Sequence, residues 1–450
     1  MKSVELSKPV LKEFFRYVPF SVFAMIANSC YILADTFFVS KGMGVNGLSA
    51  LNIALPVFSI IHGSGLMLGM GGATKFSVYR SRGEHDKADA VFTNIVYPGV
   101  LFSVIFMLLG AFLSEEISVL LGADESTLGL TNIYLKVLML FSPAFIFNNI
   151  LACFVRNDGA PKLAMFTTVS GSLMNILLDW VFIFPCNMGM FGAILATGLA
   201  PVIGICVSCI HIIRRKNNFR LQKQKPDVRE IGSGFALGLP SFVEQLSSAV
   251  VVLVFNYIML GINGNTGVAA YGIVANISLV VASVFTGISQ GVQPLISHAH
   301  GEGENGKGKA YFICALTASA IFAVIVYIVI FFFAEPIADI FNSENQPRLT
   351  SMAAEGMRIY FTAILFLGFN VILCVYFTST AKALPAQIIS LLRGLVVIIP
   401  SALILSLCFG VTGVWLSYPI TECLVAVIGV AVLFALLTRQ KRTDKELESK

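Results

Sequence analysis

Charge is scarce in this sequence. Asp, Glu, Lys and Arg together make up 12% of the 450 residues, about half the ~25% usual for soluble domains, while 56% are apolar. That balance excludes a soluble globule. The net charge is only +5, and the cations sit in short clusters between apolar runs, so neither a nucleic acid nor an acidic partner is implied. Metal-type cysteine spacing is also missing. Nine cysteines occur, nearly all inside apolar runs, and only Cys206 and Cys209 form a C-x-x-C; they read as small packed hydrophobes. No DDxxD cluster occurs, which removes the signature of a membrane prenyltransferase holding a Mg²⁺-diphosphate, a remote alternative. The stretch before Pro9 is polar and lacks a cleavable leader pattern, so the first apolar run is expected to be retained.

What the chain has instead is one apolar run after another. They cover 14–40, 50–79, 90–113, 128–155, 162–186 and 192–213, then 231–260, 268–297, 309–333, 351–379, 386–408 and 413–437. A spanning helix needs about 20 such residues, so twelve spans are expected. Of the 30 Lys and Arg residues, 25 fall in the N-terminal stretch, the even-to-odd loops and the C-terminal tail. Lys41 and Arg348 alone lie in the opposite loops, and Lys136, Arg358 and Arg393 lie inside runs. The positive-inside rule then puts both termini on the cytoplasmic side of the membrane.

The two sets of six runs resemble each other. GVNGLSALNIALPV (44–57) matches GNTGVAAYGIVANI (264–277), RSRGEHDKADA (80–90) answers HAHGEGENGKGKA (298–310) with Gly83 set against Gly301, and GMFGAILATGLAP (189–201) pairs with GVTGVWLSYPITE (410–422). Six is even, so the copies run parallel and are related by an axis along the membrane normal. The expected fold is an all-α integral membrane protein with twelve transmembrane helices in two parallel-repeat six-helix bundles around a central cleft. Residues 1–213 would form the N-terminal lobe, 214–230 a solvated cytoplasmic linker, 231–437 the C-terminal lobe and 438–450 a cytoplasmic tail. Duplicated halves suit a transporter, whereas a channel more often surrounds one pore as an oligomer and a membrane enzyme does not need two equal halves.

An ionisable side chain costs ~2.5–3.5 kcal/mol or more at the centre of a bilayer, so the few in these runs are functional candidates. Asp35 follows Tyr31 by one turn, and Asp179 follows Asn175 by one turn. Each helix face thus carries a carboxylate and a neutral oxygen ligand, and Thr197 in the next run adds a hydroxyl. Converging, Asp35, Asn175, Asp179 and Thr197 would make an all-oxygen pocket for Na⁺ or for a shared proton. The alternative is that each aspartate caps its helix near the outer end. In the second half Glu244, four residues after Pro240, with Gln245, Asn256 and Gln290, is the candidate substrate or proton site. Glu422 lies more remote. Arg393 is equally suited to bracing loops or meeting substrate, Lys136 and Arg358 form a repeat-related pair whose stems can snorkel to the interface, and His62 reads as hydrogen-bonded packing. The 37 Phe and 14 Met residues suit a cleft for amphipathic or cationic guests.

ADTFFVSKGMGVNGLSALNIALPV (34–57), RNDGAPKLAM (156–165), NILLDWVFIF (175–184), GMFGAILAT (189–197), GISQGVQPLISHAHGEG (287–303) and GVTGVWLSYPITE (410–422) together resemble the multidrug and toxic compound extrusion (MATE) family, nearest its MepA-like bacterial branch, over residues ~10–437. That resemblance implies a two-lobed antiporter, not an enzyme. It would export organic, often cationic, compounds in exchange for Na⁺ or H⁺ by alternating access, with no other cofactor and as a monomer in the lipid bilayer. Tyr31, Asp35, Asn175, Asp179 and Thr197 match the ligand positions of members with an N-lobe cation site. Other branches use an acidic residue of the seventh span, which Glu244 matches, and an aspartate of the tenth, where this chain has Asn370. The same superfamily includes lipid-linked oligosaccharide flippases, expected to line their cleft with Arg and Lys. The acidic character of the deep charges in the first half favours cations.

Overall fold

A helix of 74 residues is about 110 Å long at 1.5 Å per residue, far more than the ~30 Å hydrocarbon core of a bilayer, and the chain forms two of that length. The structure is a computed structural model that describes residues 7–342 and 346–448, so the first six residues of the expected N-lobe and the last two of the expected tail lie outside it. The first long helix, α1 (Lys8–Ser81), breaks at Gly44, where φ is 64° and ψ −151°. The second, α8 (Val228–Gly301), breaks at Gly264 with φ 59° and ψ −149°. No residue with a Cβ adopts that conformation readily, so each long helix is two spans joined by a glycine turn. A third break, at Gly410 (φ 59°, ψ −134°), divides α13 (Ile398–Glu448).

Between these lie α2 (His85–Phe112), the short α3 (Ser114–Leu120), α4 (Leu128–Leu140), α5 (Ser142–Asn157), α6 (Pro161–Ile183) and α7 (Gly189–Ile213). The second half continues with α9 (Asn305–Phe341), α10 (Pro347–Tyr360), a 3₁₀ turn (Phe361–Ala363), α11 (Ile364–Ser379), α12 (Ala383–Leu391) and a π turn (Leu392–Val396) before α13. Helices α4 and α5 form one span bent by 48°. Eight helical stretches are long and apolar enough to cross a membrane. Splitting the three broken at glycine and adding the bent pair gives twelve spans among the described residues, in the register of the apolar runs. The described residues contain no strand.

The duplication is written in the backbone. Left-handed residues recur at matched positions: Gly44 with Gly264, Gly83 with Gly303, Gly159 with Ala381, and Gly189 with Gly410. The partner of Gly83 is therefore Gly303 (φ 76° and 78°), two residues beyond the Gly301 inferred from sequence. Gly301 itself is helical and serves close packing instead, since a Cβ there would sit 1.8 Å from the Ser81 Oγ.

Compactness divides the chain differently from the repeat. One unit comprises Met1–Val250, Leu279–Ala315 and Thr378–Ala381; the other comprises Val251–Ser278, Leu316–Phe377 and Lys382–Lys450. Within the first unit the second limb of α1 meets the first limb of α8 through glycine. A Cβ on Gly71 would lie 2.0 Å from the Gly234 carbonyl oxygen, and one on Gly238 would lie 1.8 Å from that of Met67. Small residues let helix backbones approach where lipid offers no hydrophobic drive. Gln293 on α8 donates to the Thr74 hydroxyl at 2.8 Å and accepts from Asn157 on α5 at 2.9 Å. Lys75 pairs with Glu230, which also accepts from the Tyr79 hydroxyl.

The linker is mostly exposed, as expected of a solvated segment, but it is not free. Residues 214–227 lie along α2, held by their own amides: Arg220 donates to Asp89 at 3.0 Å, Gln222 to Thr93 at 2.9 Å and Asp227 to Asn94 at 2.9 Å. Phe219 is 1% exposed and enters an aromatic cluster with Phe76, Phe92 and Phe154, its ring 4.7 Å from Phe92. The segment is basic in composition but fixed by backbone donors and one buried ring. Asp227 then caps α8, accepting from the amides of Arg229 and Glu230.

Candidate functional site

Asp35 on the first limb of α1 and Asp179 near the end of α6 are both buried, and their carboxyl groups lie within hydrogen-bonding reach of each other. Helices α1 and α6 pack closely, as do α6 and α7, which is how residues so distant in sequence meet. Asn175, fully buried one turn before Asp179, lies between the acid and α7. With its amide nitrogen facing the carboxylate it donates to Asp179 Oδ2 at 3.1 Å, and its oxygen accepts from the Thr197 amide at 3.3 Å. The Thr197 hydroxyl donates to the Ala193 carbonyl at 3.1 Å. Tyr31 faces both carboxyl groups.

All five residues named from the sequence for the first half are thus brought together. A sixth was missed. Tyr134 on α4 is buried close to Asp35, Asp179, Tyr31 and Thr197. An aromatic residue in an apolar run carries no signal separating site from packing. One oxygen of each aspartate, Oδ1, is buried without a hydrogen-bond partner, and among the described residues neither acid forms an ion pair. The pocket is acidic, lined by oxygen atoms and able to accept a proton or a small monovalent cation. Helix capping is the weaker description, since the aspartate side chains meet each other and Asn175 instead of backbone amides.

The residues named for the second half do not assemble in the same way. Glu244 is half-buried and has no hydrogen-bond partner among the described residues. Gln245 is hydrogen-bonded to the buried His62, which stacks on Phe58 at 5.5 Å. Gln290 is buried on the second limb of α8, and Asn256 is half-buried in the other compact unit. The charged centre of that unit lies elsewhere. Arg393, in the π turn, donates through Nε to Glu422 Oε1 at 2.7 Å, and Asn370 on α11 donates to Glu422 Oε2 at 2.7 Å. Arg393 is therefore paired with an acid of α13. Lys136 is exposed, and Arg358 pairs with Glu335 at 3.1 Å, in keeping with snorkelled stems.

Twelve apolar spans built from a duplicated six-helix unit, with acids buried inside the helix bundle, define a polytopic membrane transporter rather than an enzyme. The MatE family model matches residues 21–181 and 240–404, and the chain belongs to that family. It is 29% identical to the multidrug export protein MepA of Staphylococcus saprophyticus over 433 residues, 95% of each chain. It is 27% identical to MepA of Staphylococcus aureus over 441 residues, 98% of this chain and 97% of the relative. Two solved structures share the fold. An outward-facing multidrug resistance MATE family transporter of the MOP superfamily superposes with a TM-score of 0.89 at 23% identity, covering 98% of this chain and 99% of its own. A MATE protein crystallised with MaL6 gives 0.91 at 23% identity over 98% and 100%.

Proposed function

We propose that the protein is a multidrug efflux antiporter of a bacterial plasma membrane, exporting organic, often cationic, compounds in exchange for Na⁺ or H⁺ by alternating access. The observation that carries this reading is the meeting of Asp35 and Asp179 in a buried, oxygen-lined pocket, each with an unpartnered oxygen and no basic side chain paired to it. Two such carboxyl groups cannot both stay ionised and empty in a dry bundle, so the pair shares a proton or holds a cation. Ion and drug then act on one two-state equilibrium, the ion favouring one conformation and the drug the other, which is all that exchange requires. The MepA relatives, named for multidrug export, support the substrate class. Glu244 and Gln245 are kept as a possible substrate contact of the second half, and the protein is taken to work as a monomer.

The test is drug efflux from liposomes carrying the purified protein, with a Na⁺ gradient and a H⁺ gradient imposed separately. Efflux driven by one gradient and lost in both Asp35→Asn and Asp179→Asn is expected. Wild-type efflux in either variant, with unchanged ion dependence, would move the coupling site to Glu244. Orientation is checked independently: Glu125 is exposed in the loop before α4 and Lys223 is exposed on the linker. In a cysteine-free background Glu125→Cys should react with an impermeant maleimide added outside cells, and Lys223→Cys only after permeabilisation.

A further inference from the structure

The acids of the two halves are neutralised by opposite means. Asp35 and Asp179 have no cationic side chain paired to them, whereas Glu422, 0% exposed and about 18 Å along its helix from the Gly410 kink by helical rise, carries its own. Arg393 Nε lies 2.7 Å from Oε1, and the Tyr418 side chain lies beside the guanidinium. Asn370, fully buried, donates to Oε2 at 2.7 Å and to the Glu422 carbonyl at 2.9 Å, while its own Oδ1 has no partner. Tyr418 is stacked on Tyr360, ring centroids 4.5 Å apart, and Tyr360 is hydrogen-bonded to Ser278.

The π turn explains the aim of Arg393. One wide turn, closed by Val397 N on the Leu392 carbonyl at 2.9 Å, shifts the residues that follow it relative to those before, and such bulges recur at functional positions. Without the guanidinium the second half would hold Glu422, two tyrosine hydroxyls and the Asn370 oxygen, an acidic, oxygen-lined pocket of the same character as the first.

We propose that Arg393 is a tethered counter-cation occupying a monovalent-cation site formed by Glu422, Asn370 and Tyr418, so that this half is neutral without an exchangeable ion. The site's ligand class, once Arg393 is removed, is a small guanidinium or amidinium cation, or a proton on Glu422. The charged and titratable groups around Glu422 are few. The π turn contributes Arg393, α13 Tyr418 and Cys423, α10 Tyr360, α11 Cys374 and Tyr376, and α8 Tyr271, which lies near both stacked tyrosines; α12 and the 3₁₀ turn contribute none. On α10, Arg358 is engaged by Glu335, and Glu355 accepts from Thr412. An ionised Glu422 left alone would be costly, so any cation that fits should stabilise the fold.

The experiment uses the full chain in detergent, comparing wild type, Arg393→Ala, Arg393→Lys and Arg393→Ala/Glu422→Gln by thermal melting from about pH 5 to about pH 8, with and without millimolar methylguanidinium. Arg393→Ala should melt lower than wild type and lose stability as pH rises, because Glu422 freed of its partner resists ionising in the fold. It should recover in a saturable way with methylguanidinium. Arg393→Lys should stay near wild type, and the double variant should lose both the pH slope and the rescue. A fall in Arg393→Ala that is flat with pH, unmoved by methylguanidinium and unchanged in the double variant would overturn the proposal. If Arg393→Ala fails to fold, a folded double variant supports it and an unfolded one refutes it. None of these readouts involves Asp35 or Asp179, so failure here leaves the proposed coupling site standing.

Discussion

Gly44 and Gly264, 220 positions apart, make the same turn: φ 64° and ψ −151° at one, φ 59° and ψ −149° at the other. Each lies where two spans of one long helix meet, and nothing stands within 4 Å of where a Cβ would be. An alanine there meets backbone strain and no collision. Gly44→Ala and Gly264→Ala should each cost about 1–3 kcal/mol, the penalty for a residue with a Cβ in a backbone region that is essentially reserved for glycine. With no neighbour within 4 Å of either Cβ position and so no shared partner, the double variant should lose roughly the sum. Melting temperatures in detergent check this; a double variant as stable as wild type would mean the turn has another low-energy form.

The twelve spans, their boundaries and the duplication were legible because apolar runs, glycine turns and clustered cations leave period and position in the sequence. Asp35 and Asp179 were legible for the same reason: a carboxylate inside an apolar run stands out. Tyr134 was not, since nothing separates a tyrosine in the site from one in the packing. The Arg393–Glu422 pair was invisible because its two members lie on different spans and a π turn, which leaves no periodicity, aims one at the other. The linker's attachment to α2 was not legible in its composition. Its ties are backbone amides, identical for every residue type, and the lone apolar Phe219 amid basic residues was the one available signal.

Phe219 is the anchor of that strap, and its loss should be read in the strap before anywhere else. Large-to-small changes at a buried phenylalanine cost about 3–5 kcal/mol, but here the segment can detach instead of leaving a cavity. Phe219→Ala should therefore open the strap and speed tryptic cleavage at Arg220, Lys223 and Lys225, by up to about a hundredfold if about 3 kcal/mol of local stability is lost. Mass spectrometry of limited digests measures it. Cleavage at the wild-type rate would show that the amide ties to α2 suffice alone.

Asp124 organises the loop before α4. Its Oδ1 accepts from the Ser126 and Thr127 hydroxyls, both at 2.8 Å, and from their amides at 3.1 and 3.0 Å. The Ser126 hydroxyl, then the Thr127 hydroxyl, hold this exposed carboxyl below the usual aspartate range. A lowered native value means the ordering is complete above the ordinary aspartate pKa of about 3.9 and is lost as pH falls through the lowered one. Asp124→Ala should remove that dependence and speed amide exchange at Ser126 and Thr127 at neutral pH. Equal exchange in variant and wild type would show that the turn stands without the carboxylate.

Asp35 and Asp179 are proposed to serve one ion, and that makes their effects interdependent. If each acid bound its own ion, the losses from Asp35→Asn and Asp179→Asn would multiply. In a shared pocket either change already destroys the site, so the double variant should be no worse than the worse single one, a strong departure from additivity. The neutral ligands should behave differently. Asn175→Ala removes one hydrogen-bonding amide from Asp179, worth about 1 kcal/mol or about fivefold in ion affinity, and Tyr134→Phe removes a polar hydroxyl close to both acids and Thr197, with an effect in the same direction. Both should raise the ion concentration needed for half-maximal efflux while sparing the rate at saturating ion. Efflux measured against ion concentration in liposomes separates the two patterns. Multiplying losses in the double aspartate variant, or a lower saturated rate with unchanged ion affinity in Asn175→Ala, would mean that the pocket does not act as a single ion site.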